Sequence, residues 1–160
     1  MRQLPQDPGL RLTVECDGAA RGNPGPAGIG AVVRDGHGRI LAEIGEGIGV
    51  ATNNVAEYRA AIAGLARALD LGASEVLLRS DSRLLVEQLE GRYRVKNPTL
   101  IRLHGEVRGL LARLARVRIE HVPRERNRDA DRLANVGVDA WLAAQRRTRT
   151  PSASPPRLFE

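Results

Sequence analysis

Cysteine is nearly absent from this chain: Cys16 is the only one. No intramolecular disulfide and no cysteine-based zinc site can form, which fits a reducing cytosol. Cys16 lies in an apolar stretch and reads as a packed thiol rather than a nucleophile. Lysine is almost as scarce, with Lys96 alone among 25 basic residues. The positive charge is therefore carried by arginine, whose planar guanidinium suits bidentate phosphate contacts. Long apolar runs are missing too, and none approaches the ~20 residues that span a bilayer. The opening M-R-Q-L-P-Q-D-P-G-L has no apolar core of signal-peptide length. A soluble, cytoplasmic protein with no membrane partner is expected, with a monomer as the default.

What remains is enough for one domain. The chain has 160 residues, 42% of them hydrophobic, so a core can be buried. A formal net charge of +6 favours anionic partners, nucleic acid first, although a plain basic surface satisfies the same number. Residues 1–9 read as a loose arm, 10–145 as the folded domain, and 146–160 as a flexible basic tail or linker.

Along the domain, residues 10–17 alternate in the manner of a strand. Residues 18–30 hold five glycines and two prolines and read as a turn. Strands are expected at 29–34 and 39–48, joined by the hairpin turn D-G-H-G. A helix follows from Thr52 or Asn53 to about Leu71, then a buried strand at 75–80 and a short helix at 82–90. Pro98 opens another helix, residues 117–122 form a last strand, and Asn127 caps a final helix to about Gln145. The order βββαβααβα implies an α/β fold with a mixed sheet flanked by helices. Sites in such sheets gather at the carboxyl ends of strands, where Asp17 and Asp81 are expected.

Four acids stand in distinctive settings: Asp17 in D-G-A-A-R-G-N-P-G, Glu57 in T-N-N-V-A-E-Y, Asp81 in S-D-S and Asp131 in N-R-D-A-D-R-L-A-N. Taken singly, each has a plain structural explanation. Glu57 can complement a helix dipole, Asp81 can serve a turn, and Asp131 can pair with Arg128 or Arg132. Asp129, two residues before Asp131, reads as solvated.

Together the four motifs, in this order and on this element pattern, resemble type 1 ribonuclease H, over about residues 12–144. The resemblance implies a ribonuclease H-like fold with a five-stranded mixed sheet. It also implies an endonuclease that cuts the RNA strand of RNA–DNA hybrids, leaving 5′-phosphate and 3′-hydroxyl ends. Asp17, Glu57, Asp81 and Asp131 then correspond to the family's catalytic, metal-binding carboxylates. Two Mg²⁺ ions, or Mn²⁺, would bind there with substrate, Asp17 bridging them. Without metal, four clustered carboxylates repel one another, so some pKa values should rise. By the same resemblance Asn23, Asn53 and Asn54 contact the RNA strand near its 2′-hydroxyls. Thr52 and Asn97 belong to a pocket for a DNA phosphate. Thr52 and Asn53 are also ordinary helix-capping residues.

The chain departs from the pattern in places. The family's histidine-bearing loop is shortened to I-E-H-V-P-R-E-R-N. Counted back from Asp131, His121 matches the loop histidine; aligned through V-P-R it falls at a strand end as a structural residue, the reading preferred here. His37 and His104 read as surface residues. The basic, tryptophan-bearing substrate handle is absent, and G-R-Y-R-V-K-N-P stands in its place. Val50 occupies a position where the family has a phosphate-gripping arginine. Two other readings stay open: a non-catalytic nucleic-acid-binding module on the same fold, and the nuclease domain of a larger fusion protein.

Overall fold

The computed structural model describes residues 9–149; the expected arm, apart from Gly9, and the tail beyond 149 lie outside the described residues. Five strands and four helices follow in the expected order. They are β1 (Leu10–Ala20), β2 (Gly25–Arg34), β3 (Ile40–Ala51), α1 (Asn53–Asp70), β4 (Ala73–Ser80), α2 (Arg83–Leu89), α3 (Pro98–Leu111), β5 (Arg116–His121) and α4 (Arg128–Arg149). The sheet is mixed, in the order β3-β2-β1-β4-β5. β1 pairs antiparallel with β2 and parallel with β4, and β4 pairs parallel with β5.

Two boundaries correct the sequence expectation. The glycine-rich stretch 18–30 is not one long turn, because β1 runs on to Ala20 and β2 begins at Gly25. Asp17 therefore lies within β1, opposite Gly30, and does not end it. The glycines there serve close packing: a methyl at Gly18 would sit 2.3 Å from the Ala56 carbonyl carbon. α4 also continues four residues past the expected Gln145, to Arg149.

Alternation in β1 divides the sheet into two faces. Leu12, Val14 and Cys16 join Leu65, Leu78 and Val107 in the core under α1 and α3. Cys16 is a buried free thiol, as expected. On the other face α4 packs on β1, β2 and β3. Gly28 and Gly30 let it approach, since a methyl at Gly30 would meet the Ala130 carbonyl oxygen at 2.0 Å. The same face of β4 and β5 presents Leu77, Arg79, Arg116, Arg118 and Glu120, all exposed or half-exposed. Among the described residues no helix is long and apolar enough to cross a membrane.

Helix starts follow local chemistry. Thr52 Oγ1 accepts from the Val55 N–H, Ser82 from Leu85, and Asn97 Oδ1 from Thr99 and Leu100. Asn127 does not cap α4 with its side chain. It is fully buried, its Nδ2 donates to the Cys16 carbonyl at 2.9 Å, and its Oδ1 lacks a hydrogen-bond partner. His104 is half-buried, with Nε2 3.2 Å from the Gln88 carbonyl, and not a plain surface residue.

Candidate active site

β1 is the middle strand, and its neighbour β4 ends at Ser80, in register with Cys16. One residue beyond each partner brings Asp17 and Asp81 side by side. α1 starts across the carboxyl end of the sheet and carries Glu57 one turn in. The Gly18 N–H donates to Glu57 Oε1 at 2.9 Å, which orients that carboxylate toward β1. Carboxylate oxygens of Asp17, Glu57 and Asp81 lie within 4.8 Å of one another. Asp131, in the first turn of α4, stands close enough to Asp17 to help raise that carboxyl, outside the group of three. Three of the four acids expected from the sequence thus meet at one place, with Asp131 as a neighbouring charge.

The pocket above them, about 530 Å³, is lined by Asp17, Glu57, Asp81, Asn53, Asn135, residues 18–21 and the segment 121–124. Of the five expected substrate residues, Asn53 lines it. Asn53 Oδ1 accepts from the Ala20 N–H at 3.0 Å, and Asn23 Oδ1 accepts from the Asn53 N–H at 3.0 Å. Asn23 therefore ties the β1–β2 turn to the start of α1, and Asn54 is exposed beside Asn53. Thr52 and Asn97 act as helix caps and do not line this pocket.

Four pocket residues with polar or charged side chains were not among the site residues expected from sequence: Arg21, His121, Arg124 and Asn135. His121 does end β5, as the alignment through V-P-R anticipates, yet its strand-end position still faces the pocket. Asn135 follows Asp131 by one helical turn, a spacing that was available as a signal. It donates to the Asp131 carbonyl at 3.0 Å and accepts from Arg21 at 3.1 Å. Arg21 also pairs with Asp139 at 2.8 Å, so the β1–β2 turn is fastened to α4. Arg124 Nη2 lies 3.9 Å from Asp131 Oδ1 on an otherwise exposed side chain.

Asp129 corrects the expectation of a solvated residue. Its carboxylate pairs with Arg34 of β2 and lies 3.9 Å from Arg132. Tertiary contact between α4 and β2 makes this pair, and no local pattern announces it.

The electrostatics of the cluster match the expected repulsion. Burial, then the charges of Glu57 and Asp81, push Asp17 up to about 9. Burial, then Asp81, push Glu57 up to about 8 against the opposing pull of the Gly18 N–H. Protons hold the cluster together when no cation does. Burial and the neighbouring carboxylates also raise the Cys16 thiol, which keeps it inert. An all-oxygen, acid-rich donor set with self-repulsion suits a hard divalent cation such as Mg²⁺.

The architecture and the site define a class: an α/β protein with a carboxylate centre at the carboxyl edge of a mixed sheet. A family model described as "Reverse transcriptase-like" matches residues 15–137. The chain is 47% identical over 133 residues to ribonuclease HI of Halobacterium salinarum, covering 83% of this chain and 67% of that protein. It is 52% identical over 132 residues to "Bifunctional protein Rv2228c" of Mycobacterium tuberculosis, covering 82% of this chain and 36% of that one. The chain thus spans about a third of the length of the mycobacterial relatives it matches. Its fold superposes on LC11-RNase H1 in complex with RNA/DNA hybrid with a TM-score of 0.78 at 41% identity, covering 82% of this chain and 99% of that one. The chain belongs to the ribonuclease H family, of the ribonuclease HI type.

Proposed function

We propose that this chain is an endonuclease that hydrolyses the RNA strand of RNA–DNA hybrids, leaving 5′-phosphate and 3′-hydroxyl ends. The observation that carries the reading is the convergence of Asp17, Glu57 and Asp81 oxygens within 4.8 Å, with Asp131 against Asp17. These four would hold divalent ions, two in the presence of substrate, Mg²⁺ first and Mn²⁺ as an alternative. Such ions supply an activated water and a stabilised leaving oxygen on opposite sides of the phosphorus.

The remaining work falls to the chain. β1 and the Gly18 N–H fix the directions of Asp17 and Glu57. Asn53 and Asn54, at the exposed start of α1, offer amides that both donate and accept, as a ribose 2′-hydroxyl requires. Asn23 braces Asn53 from behind. Thr52 and Asn97 sit at the amino ends of α1 and α3, where helix termini attract phosphate. Arg21 and Arg124 bring positive charge to the rim of the acidic pocket. Binding should weaken steeply with salt, because this chain relies on arginines in place of a basic handle. The lone, reduced Cys16 supports a cytoplasmic setting.

A second reading has one observation in its favour: the mycobacterial relatives run well beyond the matched segment, so this unit also suits the nuclease part of a longer protein. A labelled RNA–DNA hybrid incubated with Mg²⁺, Mn²⁺ or EDTA, beside Asp17→Asn, tests the activity. Metal-dependent cutting abolished by Asp17→Asn is expected. Equal cutting by the variant, or equal cutting of single-stranded RNA, refutes the reading. Hybrid binding without cutting under any metal would instead favour a binding module.

A further inference from the structure

One row below the carboxylates, a chain of alternating charges runs from the edge of α4 across the part of the sheet that α4 leaves open. It runs from Arg34 in β2 through Glu15 in β1 and Arg79 in β4 to Glu120 in β5. Arg34 Nε is 3.2 Å from Glu15 Oε2, Arg79 Nη1 is 3.9 Å from the same oxygen, and Arg79 Nε is 2.8 Å from Glu120 Oε1. Cross-strand register makes the row continuous, since Glu15 pairs with Arg79 and Arg79 with Glu120. Glu15 is 8% exposed although it lies on the same sheet face as half-exposed Arg79 and Glu120. Two residues on, along the same strands, stand Asp17 and Asp81.

The two acids are not held equally. Backbone pairing with β2 continues past Asp17 to Ala20, whereas pairing between β1 and β4 stops at Cys16 and Ser80. Asp81 is the first residue outside the ladder. On the core side its strand is anchored by buried Leu78 and Ser80. On the open side, among the described residues, no packed helix does the equivalent, and the bridge from Arg79 to Glu15 and Glu120 links β1, β4 and β5 there.

We propose that Arg79 is a positioning residue: by bridging Glu15 and Glu120 it holds the end of β4 against β1, so that Asp81 and Asp17 share a cation at the required separation. Arg79 touches neither the reacting phosphate nor the ion in this scheme and acts through the strand ends. The inference rests on the metal-dependent reading of the site given above, and it assigns a purpose to the charge row that substrate contacts leave unused.

The test compares Arg79→Met, which keeps an apolar stem but removes both ion pairs, with Arg79→Lys and with Glu120→Gln. The first measurement is calorimetric titration of Mn²⁺ into the free protein. Arg79→Met should weaken Mn²⁺ binding by about tenfold, the scale of outer-shell effects on metal sites, with Glu120→Gln in the same direction and Arg79→Lys recovering part of the loss. The metal-free melting temperature should fall by less than about 4 °C, because the pair with Glu120 is half-exposed and buried Glu15 keeps its pair with Arg34. In hybrid cleavage, the Mg²⁺ needed for half-maximal rate should rise by about tenfold, while KM for hybrid at saturating metal stays within about twofold. Unchanged Mn²⁺ affinity in Arg79→Met overturns the proposal. So does a loss that follows melting temperature alone, or a raised KM, which would make Arg79 a substrate contact. If the wild-type protein cuts no hybrid, the assigned reaction fails, while the Mn²⁺ titrations still decide the role of Arg79.

Discussion

Over β2 and β3, α4 lies so close that a methyl at Gly28 would stand 2.4 Å from the Ala134 carbonyl oxygen, and one at Gly47 2.4 Å from Trp141 Cβ. Over β4 and β5 the same sheet face carries Arg79, Arg118 and Glu120, open to water. The first half is dry and fitted; the second is wet and charged. Both meet at β1, where Asp17 receives Asp131 from the packed side and Asp81 from the open side. Rigid packing delivers one carboxylate from a helix, and an open flank leaves room for the wide polyanion proposed as substrate to reach the carboxylate cluster. The protein keeps half a sheet face uncovered and restrains it with ion pairs in place of a helix.

The largest expected effect strikes the junction itself. Asp17→Asn should lower the Mg²⁺-dependent cleavage rate by at least about 100-fold, beyond what outer-shell changes cause, as read by initial rates on labelled hybrid. The same variant should melt higher than the wild type without metal at pH 8, because one member of a repelling cluster is gone.

The packed half is broken by Gly30→Ala, whose new methyl meets backbone at 2.0 Å. A destabilisation of about 3 kcal/mol or more is expected in denaturant unfolding. Gly109→Ala provides the contrast: it lies in α3 with nothing within 4 Å of the added methyl. It should stabilise by up to about 1 kcal/mol through helix propensity.

The open half is sharpened by pH. The folded-state pKa values of Asp17 and Glu57 are raised, to about 9 and about 8, from ordinary values of 3.8 and 4.5. In that interval the folded state holds more protons than the unfolded chain, so stability falls as pH rises. Their contribution is complete below about pH 4 and is lost progressively up to about pH 9. The metal-free melting temperature should therefore decline from pH 5 to 9, and Mg²⁺ should flatten the decline by supplying the missing positive charge. A flat metal-free profile would contradict the cluster electrostatics.

The smallest effect is expected at His121. His121→Ala should cost less than tenfold in rate, since its place is the end of β5. A loss of about 10² or more, the range for general acid–base groups, would make it a proton-transfer group of the open half.

Much of the fold was legible because local chemistry announced it. Thr52 caps α1, and Pro98 opens α3. The glycine-rich stretch misled because glycine marks a turn and a close approach alike: Gly18, Gly28 and Gly30 continue strands beneath helices. Asn127 misled for a related reason. Its type and position suit a cap, yet burial sends its amide to the Cys16 carbonyl. Arg21, Arg124 and Asn135 join the site through contacts between the β1–β2 turn, the segment after β5 and α4, and only Asn135 left a periodic trace.

By itself the sequence determined the element order, the starts of α1 and α3, and the four acids proposed for the chemistry, because residue type and short-range spacing encode those properties. The tertiary structure decided how the acids meet: Asp17 inside a strand, Glu57 turned by the Gly18 N–H, and Asp129 committed to Arg34. It also decided which half of the sheet stays open. Those outcomes depend on how closely one helix can approach a sheet, which is a matter of backbone separation across the core that no local run of residues specifies.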